Sequence, residues 1–527
     1  MKEILLLNLG RYGDLIQTTP LLRRLKATHP SARVTLVGQH RFRAVLPLMS
    51  GFDRCFLLDQ DQLTRSLARA EGIPAAYRAL EEFVGSVGGQ RYDLVINLTS
   101  SDFSAQLVAL LDTVAVAGKT SDNDGRTLVK SPWALYLYSF LRGDSRRYNR
   151  INLADIFCNM GGVQPDGKPV ELRETKEGGS SAVSFLTRAG VSDLPLVGLQ
   201  LGASDSIRCW PAASFARLSD LLQESGGVRT ILLGSPAELP LAQEALSLMK
   251  HQPINAVGKT DIPGLFSLLR RCALLVSNDT GTMHFAAAAG IPTVMLTLGP
   301  ASLFCTGPFS AGNLALQPPL PCSPCRYEPA CGNPVCRVAI SVESVESACR
   351  LLLRGGSDAQ NDDHGTKLYR SDFGLDGYLE WEPLRNGDAA AEELSHKYAR
   401  LWKKVLVGSG FEVQGSRFKV QGSGFKVTEP RFPELLRLTM EGCEVTAKIM
   451  AAARQSPLPL DSIGALGEEE ASVESGMRCL AGRSPELSPL VDFMTIMKEN
   501  ITATNLDAIA AATHDAYALG NRLTALL

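Results

Sequence analysis

Short apolar runs and longer amphipathic stretches alternate along the first two thirds of the chain. Residues 4–8, 34–37, 56–58 and 94–98 are compact aliphatic runs that predict strands. Between and after them, residues 15–28, 77–87, 105–111 and 152–161 predict helices. The alternation then starts again. Strands are expected at 196–201, 230–233, 272–276 and 291–296, and helices at 215–222, 239–249, 262–271, 285–289 and 342–353. Strand–helix repetition of this kind implies parallel sheets covered by helices on both faces. The expected fold class is therefore α/β, with two doubly wound Rossmann-like domains, 1–165 and 190–355, facing a cleft. The Gly-, Lys- and Glu-rich stretch 161–179 reads as the linker. Ligands of such sheets bind beyond the carboxyl ends of the strands.

After residue 355 the pattern changes. Residues 357–364 are polar, and 408–427 carry a tandem seven-residue repeat, GSGFEVQ–GSRFKVQ–GSGFKV. Three short copies cannot build a solenoid core. The expectation is an exposed hairpin or loop inside a linker region, 356–428. A mostly helical extension follows at 429–527, with helices at 434–454, 490–499 and 505–526 and no legible chemistry.

Bulk composition narrows the function classes. The chain has 527 residues, 45% hydrophobic and 20% charged, with a net charge of −2. These are the values of an ordinary globular protein. They carry no basic excess that would point to nucleic acid. No apolar run approaches the roughly 18 residues of a membrane span. The apolar stretch 4–7 is too short for a secretion signal, so a cytoplasmic location is expected, with contact at the inner face of a membrane left open.

Four strand-to-helix turns carry the candidate chemistry. In Ser277-Asn278-Asp279-Thr280-Gly281-Thr282-Met283-His284, Asp279 and Thr280 are good N-caps, and Gly281 lets a ligand approach the backbone. The amides of such a helix end attract phosphate. A helix-capping turn with no ligand is the competing reading. The turn Asn8 to Pro20 holds Gly10, Gly13 and the lone carboxylate Asp14, which is either a general base or a plain cap. It lacks the G-x-G-x-x-G fingerprint, and no P-loop motif occurs in the chain. In Gly202 to Pro211, Ser204 and Arg208 suit an anion; alternatively this is a surface loop with Trp210 as an apolar plug. Glu238 follows the strand at 230–233 and either accepts two ribose hydroxyls or stabilises its own helix start. Together the four turns suit a transferase with a nucleotide-activated donor.

Three segments, GRYGDLIQTTPLLRRLK from Gly10, IRCWP at 207–211 and SNDTGTMHFAAAAGIP from Ser277, resemble glycosyltransferase family 9, the ADP-heptose:lipopolysaccharide heptosyltransferases. The resemblance spans about residues 1–355. It implies the GT-B fold and an inverting reaction that needs no metal and no cofactor beyond the ADP-sugar donor. The acceptor implied is a lipid-linked or core glycan of lipopolysaccharide assembly. By the same resemblance Asp14 is the catalytic base and Arg208 stabilises the departing phosphate. Arg208 departs from the Lys usual at that position. Glu238 binds ribose, Asp279 holds the donor sugar, and Thr280 and Gly281 form the pyrophosphate turn. His284 backs the phosphates or merely packs. Peripheral membrane contact would suit such an acceptor. The alternatives are another nucleotide sugar on a different glycan or protein acceptor, a non-catalytic nucleotide-binding GT-B module, and a nucleotide-sugar epimerase.

Two features stand apart. The D-x-D pairs at 59–61 and 122–124, the type that holds a metal in other glycosyltransferases, lie in the first domain and read as solvated pairs. Cys322, Cys325, Cys331 and Cys336 form C-x2-C-x5-C-x4-C, a spacing compatible with a structural zinc or iron–sulfur site, with two disulfides, or with packing.

Overall fold

In the computed structural model the described residues are 1–69, 72–140, 145–191, 194–224, 227–326, 331–354, 365–385, 389–408, 412–414, 417–419, 432–454, 460–501 and 505–526. The chain forms two compact units, residues 1–94 with 151–388, and residues 95–150 with 389–527. This grouping cuts through the expected 1–165 domain.

In the first unit, β1 (Glu3–Leu7), β2 (Arg33–Gln39) and β3 (Arg54–Leu58) pair in parallel, with Leu5 opposite Thr35 and Leu36 opposite Cys55. The expected helix 15–28 is two helices, α1 (Tyr12–Ile16) and α2 (Thr19–Thr28). Pro20 enforces the break, because it has no N–H and its ring would collide with the carbonyl four residues back. Helix α3 (Gln60–Leu67) and α4 (Gly72–Gly88) follow β3. Arg23 of α2 makes a bidentate ion pair with Asp166, at 2.8 and 3.0 Å, and the Thr19 hydroxyl accepts the Glu171 N–H at 3.0 Å. These bonds hold residues 164–171 against the start of the chain. The expected linker 161–179 is correspondingly part helix: residues Lys176–Arg188 are helical. Gly178 lies inside that helix because any Cβ there would stand 2.6 Å from the Pro263 carbonyl oxygen.

Most strands of the second sheet sit where the pattern put them. The strands are, after β4 (Leu94–Asn97), β5 (Val116–Ser121) and β6 (Thr127–Lys130), which are described below, β7 (Leu196–Gln200), β8 (Arg229–Leu233), β9 (Ile254–Asn255), β10 (Cys272–Asn278), β11 (Thr293–Leu296), β12 (Leu314–Gln317), β13 (Lys367–Phe373) and β14 (Leu379–Arg385). Their order is β14-β13-β12-β11-β10-β7-β8-β9. The ladders from β12 to β9 are parallel. The core on this sheet is aliphatic, with Trp210 and Phe215 edge to face at 5.1 Å. β13 and β14 pair antiparallel and extend the sheet past β12. This corrects the expectation that 356–428 is all linker: Leu368 and Tyr369 of β13 and Leu379 and Trp381 of β14 are buried. The polar stretch 357–364 lies outside the described residues. Of the heptapeptide repeat, Glu412–Gln414 and Arg417–Lys419 pair as an antiparallel hairpin, and the rest lies outside them.

The second unit makes the C-terminal region more than an appendage. β4 pairs with β5 in parallel, and β5 with β6 antiparallel. The expected tail helices are present as Pro433–Ala453, Ser488–Glu499 and Leu506–Leu526, joined by Ala389–Gly408 and Leu460–Arg483, which the pattern had not revealed. Asn500 closes the open edge of β6. Its side-chain amide accepts from Val129 N–H at 2.7 Å and donates to Val129 O at 2.9 Å, copying a strand neighbour. Trp402, fully buried, packs against Tyr136, Phe140 and Phe493, with ring centroids 4.6–6.5 Å away. Among the described residues no helix is long and apolar enough to cross a membrane. Trp402→Ala should cost about 3–5 kcal/mol, because it empties the centre of this aromatic cluster. Urea unfolding followed by tyrosine fluorescence would show a lower midpoint; an unchanged midpoint would mean the tail adds nothing to this unit's stability.

Candidate functional site

The site lies in the first unit, where the carboxyl ends of β1, β7, β8 and β10 release their turns. After β1, Asn8 is buried and organises the turn. Its Oδ1 accepts the Gly10 N–H at 2.8 Å, and its Nδ2 donates to the Asp14 carbonyl at 3.0 Å. The Asp14 carboxylate folds back on the turn and accepts the Arg11 N–H at 2.7 Å. Gly10 is required by that fold: a Cβ there would stand 2.6 Å from the carboxylate oxygen.

The β10 turn meets this one. The helix Gly281–Ala289 begins four residues earlier than the pattern implied. Thr280 is its N-cap residue, but the side chain makes no capping bond. Asp279 is not a cap either. It is buried, and its Oδ2 pairs with Arg208 Nη1 at 3.2 Å, while Arg208 Nη2 donates to the Ser204 hydroxyl. Thr280 thus holds the expected N-cap position without a side-chain bond, while Asp279 is given to an ion pair, because the guanidinium satisfies the carboxylate more strongly than a backbone amide can. The helix start packs on α1 through glycine. A Cβ on Gly13 would lie 2.6 Å from His284 Cδ2, and one on Gly281 would lie 3.7 Å from the Gly13 nitrogen. Tyr12 supports the contact from the side, with its ring 5.0 Å from Phe42 and 6.1 Å from Phe285.

The β8 turn joins through hydrogen bonds. Glu238 Oε2 accepts the Ser235 N–H at 2.5 Å, and Oε1 accepts from Gln200 Nε2 at 2.8 Å. Gln200 Oε1 in turn accepts from the Thr282 hydroxyl at 2.9 Å. Gln200 thus couples Glu238 to the first turn of the Gly281–Ala289 helix. Sequence reasoning missed it, although a lone amide ending the apolar run Leu196-Val197-Gly198-Leu199 was the available signal. Asn278 is a second missed connector. Its Oδ1 accepts the Trp210 N–H at 3.0 Å and its Nδ2 donates to Leu201 O at 2.8 Å, so it fixes the loop that carries Ser204 and Arg208. Trp210 is the apolar plug that the surface-loop alternative expected; its indole N–H donates to Ile340 O at 3.1 Å.

Electrostatics separates the two carboxylates. Burial pushes the Asp14 carboxyl above its ordinary range; the Arg11 amide and guanidinium oppose this, and the nearby Asp279 charge adds to it. Asp279 has Arg208 at hydrogen-bond distance; among the described residues Asp14 has no such cation partner. His284 is buried, its Nδ1 has no hydrogen-bond partner among the described residues, and burial lowers its pKa to about 4, so it is neutral near pH 7.

The sequence candidates outside this cluster have other uses. Asp59 caps α3 through the Gln62 N–H at 2.8 Å, and Asp61 lies 3.7 Å from Arg41. Asp122 bonds the Asp124 and Arg126 amides of its own turn. Cys322, Cys325, Cys331 and Cys336 remain free thiols. Burial, with the three neighbouring cysteines adding to it, raises the Cys325 thiol to about 11. Among the described residues no group of three or more ligating side chains has metal-holding geometry.

The model of glycosyltransferase family 9 (heptosyltransferase) matches residues 81–334. Lipooligosaccharide heptosyltransferase 2 of Haemophilus ducreyi is 25% identical over 323 residues, covering 58% of this chain and 86% of that protein. Lipopolysaccharide heptosyltransferase 2 of Salmonella typhimurium is 25% identical over 324 residues, with the same coverage of 58% and 86%. The crystal structure of a family 9 glycosyl transferase from Veillonella parvula shares the fold, with a TM-score of 0.56 and 24% identity, covering 67% of this chain and 98% of that one. The fold is of the GT-B type, α/β with a helical C-terminal region; residues 81–334 match glycosyltransferase family 9, the heptosyltransferase family, and the chain is a glycosyltransferase.

Proposed function

We propose that the chain transfers a heptose, or a similar sugar, from an ADP-activated donor to a lipopolysaccharide core or related glycan acceptor, with inversion and without a metal ion. One observation carries this reading: Asp14 and Asp279 stand near one another across the Gly13–Gly281 contact, and among the described residues only Asp279 of the two has a guanidinium at hydrogen-bond distance. A buried carboxylate with a raised pKa is suited to removing a proton near neutral pH.

In the proposed reaction Asp14 takes the proton of the acceptor hydroxyl. The alkoxide oxygen forms a bond to the anomeric carbon from the face opposite the leaving group. The bond from that carbon to the diphosphate oxygen breaks, and ADP leaves with the electron pair. The transition state has oxocarbenium character, with negative charge growing on the diphosphate. Arg208 and the amides at the start of the Gly281–Ala289 helix supply the positive potential for that charge. Asp279 turns from Arg208 toward the donor sugar as phosphate takes over the guanidinium. Glu238 takes the ribose hydroxyls; its two oxygens each hold one donor and keep lone pairs for more. His284 forms an uncharged wall behind the helix start. The heptosyltransferase names of the curated relatives support the sugar and the acceptor class.

Three outcomes test this. Asp14→Asn should lower kcat by about 10²–10⁴-fold while ADP binding, followed by calorimetry, stays near wild type. Normal turnover in that variant would remove the base. Arg208→Ala should lower kcat by about 10²–10³-fold, with Arg208→Lys recovering part of it and EDTA without effect on the wild type. An unchanged rate in the alanine variant would mean the loop does not reach the diphosphate. The third concerns His284. Its folded pKa of about 4 lies below the unfolded value of 6.5, so the unfolded state binds the extra proton between them. Stability is therefore intact above pH 6.5 and falls by about 3 kcal/mol as pH drops toward 4. Urea unfolding at stepped pH should show that slope in the wild type and lose it in His284→Gln; equal slopes in both proteins would mean His284 is not held neutral by the fold.

A further inference from the structure

Gln200 ends β7, and its side chain is buried between Glu238 and Thr282. Its Nε2 donates to Glu238 Oε1 at 2.8 Å, and its Oε1 accepts from the Thr282 hydroxyl at 2.9 Å. The neighbours dictate this polarity. A carboxylate oxygen can only accept, so the NH2 end of the amide must face Glu238. The carbonyl end is left for Thr282, whose hydroxyl has to donate. Of the neutral side chains, an amide offers donor and acceptor on separate atoms of one rigid plane, and asparagine would be a methylene short. Both ends of the relay are anchored. The Ser235 N–H fixes Glu238 Oε2. Two glycines make room for the carboxylate: a Cβ on Gly202 would overlap Oε1, and one on Gly234 would stand 3.2 Å from Oε2. Thr282 is buried in the first turn of the Gly281–Ala289 helix. One buried amide therefore sets the spacing between the carboxylate after β8 and the helix start after β10.

We infer that Gln200 is a positioning residue that determines nucleotide specificity: it holds Glu238 in the orientation that reads the ribose, and so makes the site select ribonucleoside over deoxyribonucleoside diphosphates. This rests on the reading above, in which Glu238 takes the ribose hydroxyls and the Gly281–Ala289 helix start takes the diphosphate. In a nucleoside diphosphate the bonds between ribose and phosphates limit how far apart the two can sit. A carboxylate recognises the ribose well only if its own place is fixed relative to the diphosphate seat. Glu238 held by Gln200 and Ser235 meets a hydroxyl with little reorganisation, whereas a carboxylate free to turn must first be ordered. The Thr282 hydroxyl spends its proton on Gln200, which leaves the diphosphate to the backbone amides and Arg208.

The test is calorimetric titration of the full chain with ADP, 2′-deoxy-ADP and 3′-deoxy-ADP. The wild type should bind ADP about 10–100-fold more tightly than the weaker of the two deoxy analogues, the worth of one hydrogen bond to a charged group. In Gln200→Leu that ratio should fall to about threefold or less. Thr282→Val keeps Gln200 but removes the donor that orients it, and should lower the ratio as well. Thr282→Ser restores the hydroxyl and should restore the ratio. A role in packing alone would weaken all three nucleotides alike and leave the ratio where it was. Should Gln200→Leu fail to fold, the two Thr282 variants decide. ADP binding with the wild-type ratio in Gln200→Leu and Thr282→Val would overturn the proposal and leave the ADP-donor reading standing. A wild type that binds all three nucleotides equally would remove the ribose role of Glu238 and the proposal with it. A wild type that binds none of them would sink the ADP-donor reading itself, and the proposal falls with that reading.

Discussion

The bare contact between Gly13 and the start of the Gly281–Ala289 helix is the constraint on which the site depends. These residues lie far apart in the chain, and they meet backbone to backbone because neither has a side chain to intervene. The edge of the buried His284 ring takes the space that a side chain on Gly13 would need. The result is that two strand-to-helix turns share one volume, and Asp14 comes close enough to Asp279 for each to feel the other's charge. A methyl group at Gly13 would separate them by pushing on a ring that has nowhere to go, since His284 is itself enclosed. The loop of β7 and the turn of β8 are then aligned to this centre by Gln200 and Asn278, two buried amides whose hydrogen bonds run between turns rather than within them.

Two carboxylates in one place would repel each other if both were ionised without compensation. The protein resolves this by giving them unequal surroundings. Asp279 has the Arg208 guanidinium at hydrogen-bond distance. Asp14 has a backbone amide and the weaker, exposed charge of Arg11, and burial dominates its ionisation. In the proposed reaction that asymmetry becomes a division of labour. The carboxylate with the raised affinity for protons takes one from the acceptor, and the paired carboxylate gives up its cation to the leaving diphosphate. An arginine is well matched to this exchange. Its planar fork can hold a carboxylate oxygen and a hydroxyl in the resting site and then two phosphate oxygens, where a lysine would offer a single point of charge.

The parallel core was legible because each buried strand is a short aliphatic run between polar turns, and the chemistry sits where such strands end. What failed to show was structure defined by distant partners. The strand Val116–Ser121 has the sequence Val-Ala-Gly-Lys-Thr-Ser, too polar to announce itself, and it is a strand because β4 and β6 flank it. The helix Pro132–Phe140 buries every residue after its proline, so it has no polar face to give it a helical period. β13 and β14 follow a polar stretch and extend the second sheet as an antiparallel pair beside its parallel strands. At the site, Asp14, Arg208 and Glu238 could be located from their turns. The partners of Asp279 could not, because a capping aspartate and an ion-paired aspartate look the same in a sequence. Gln200 and Asn278 were hidden for a related reason: a buried amide gains a role from the groups that face it, and none of those is its neighbour in the chain.

The C-terminal region is explained by the part of the chain it packs on. Strands β5 and β6 end in an edge whose hydrogen-bonding groups need a partner, and Asn500 gives β6 one. The all-apolar helix Pro132–Phe140 cannot face water, and Trp402 and Phe493 from the tail cover it. Segments 95–150 and 389–527 therefore need each other for reasons of burial alone, without any chemistry in the tail.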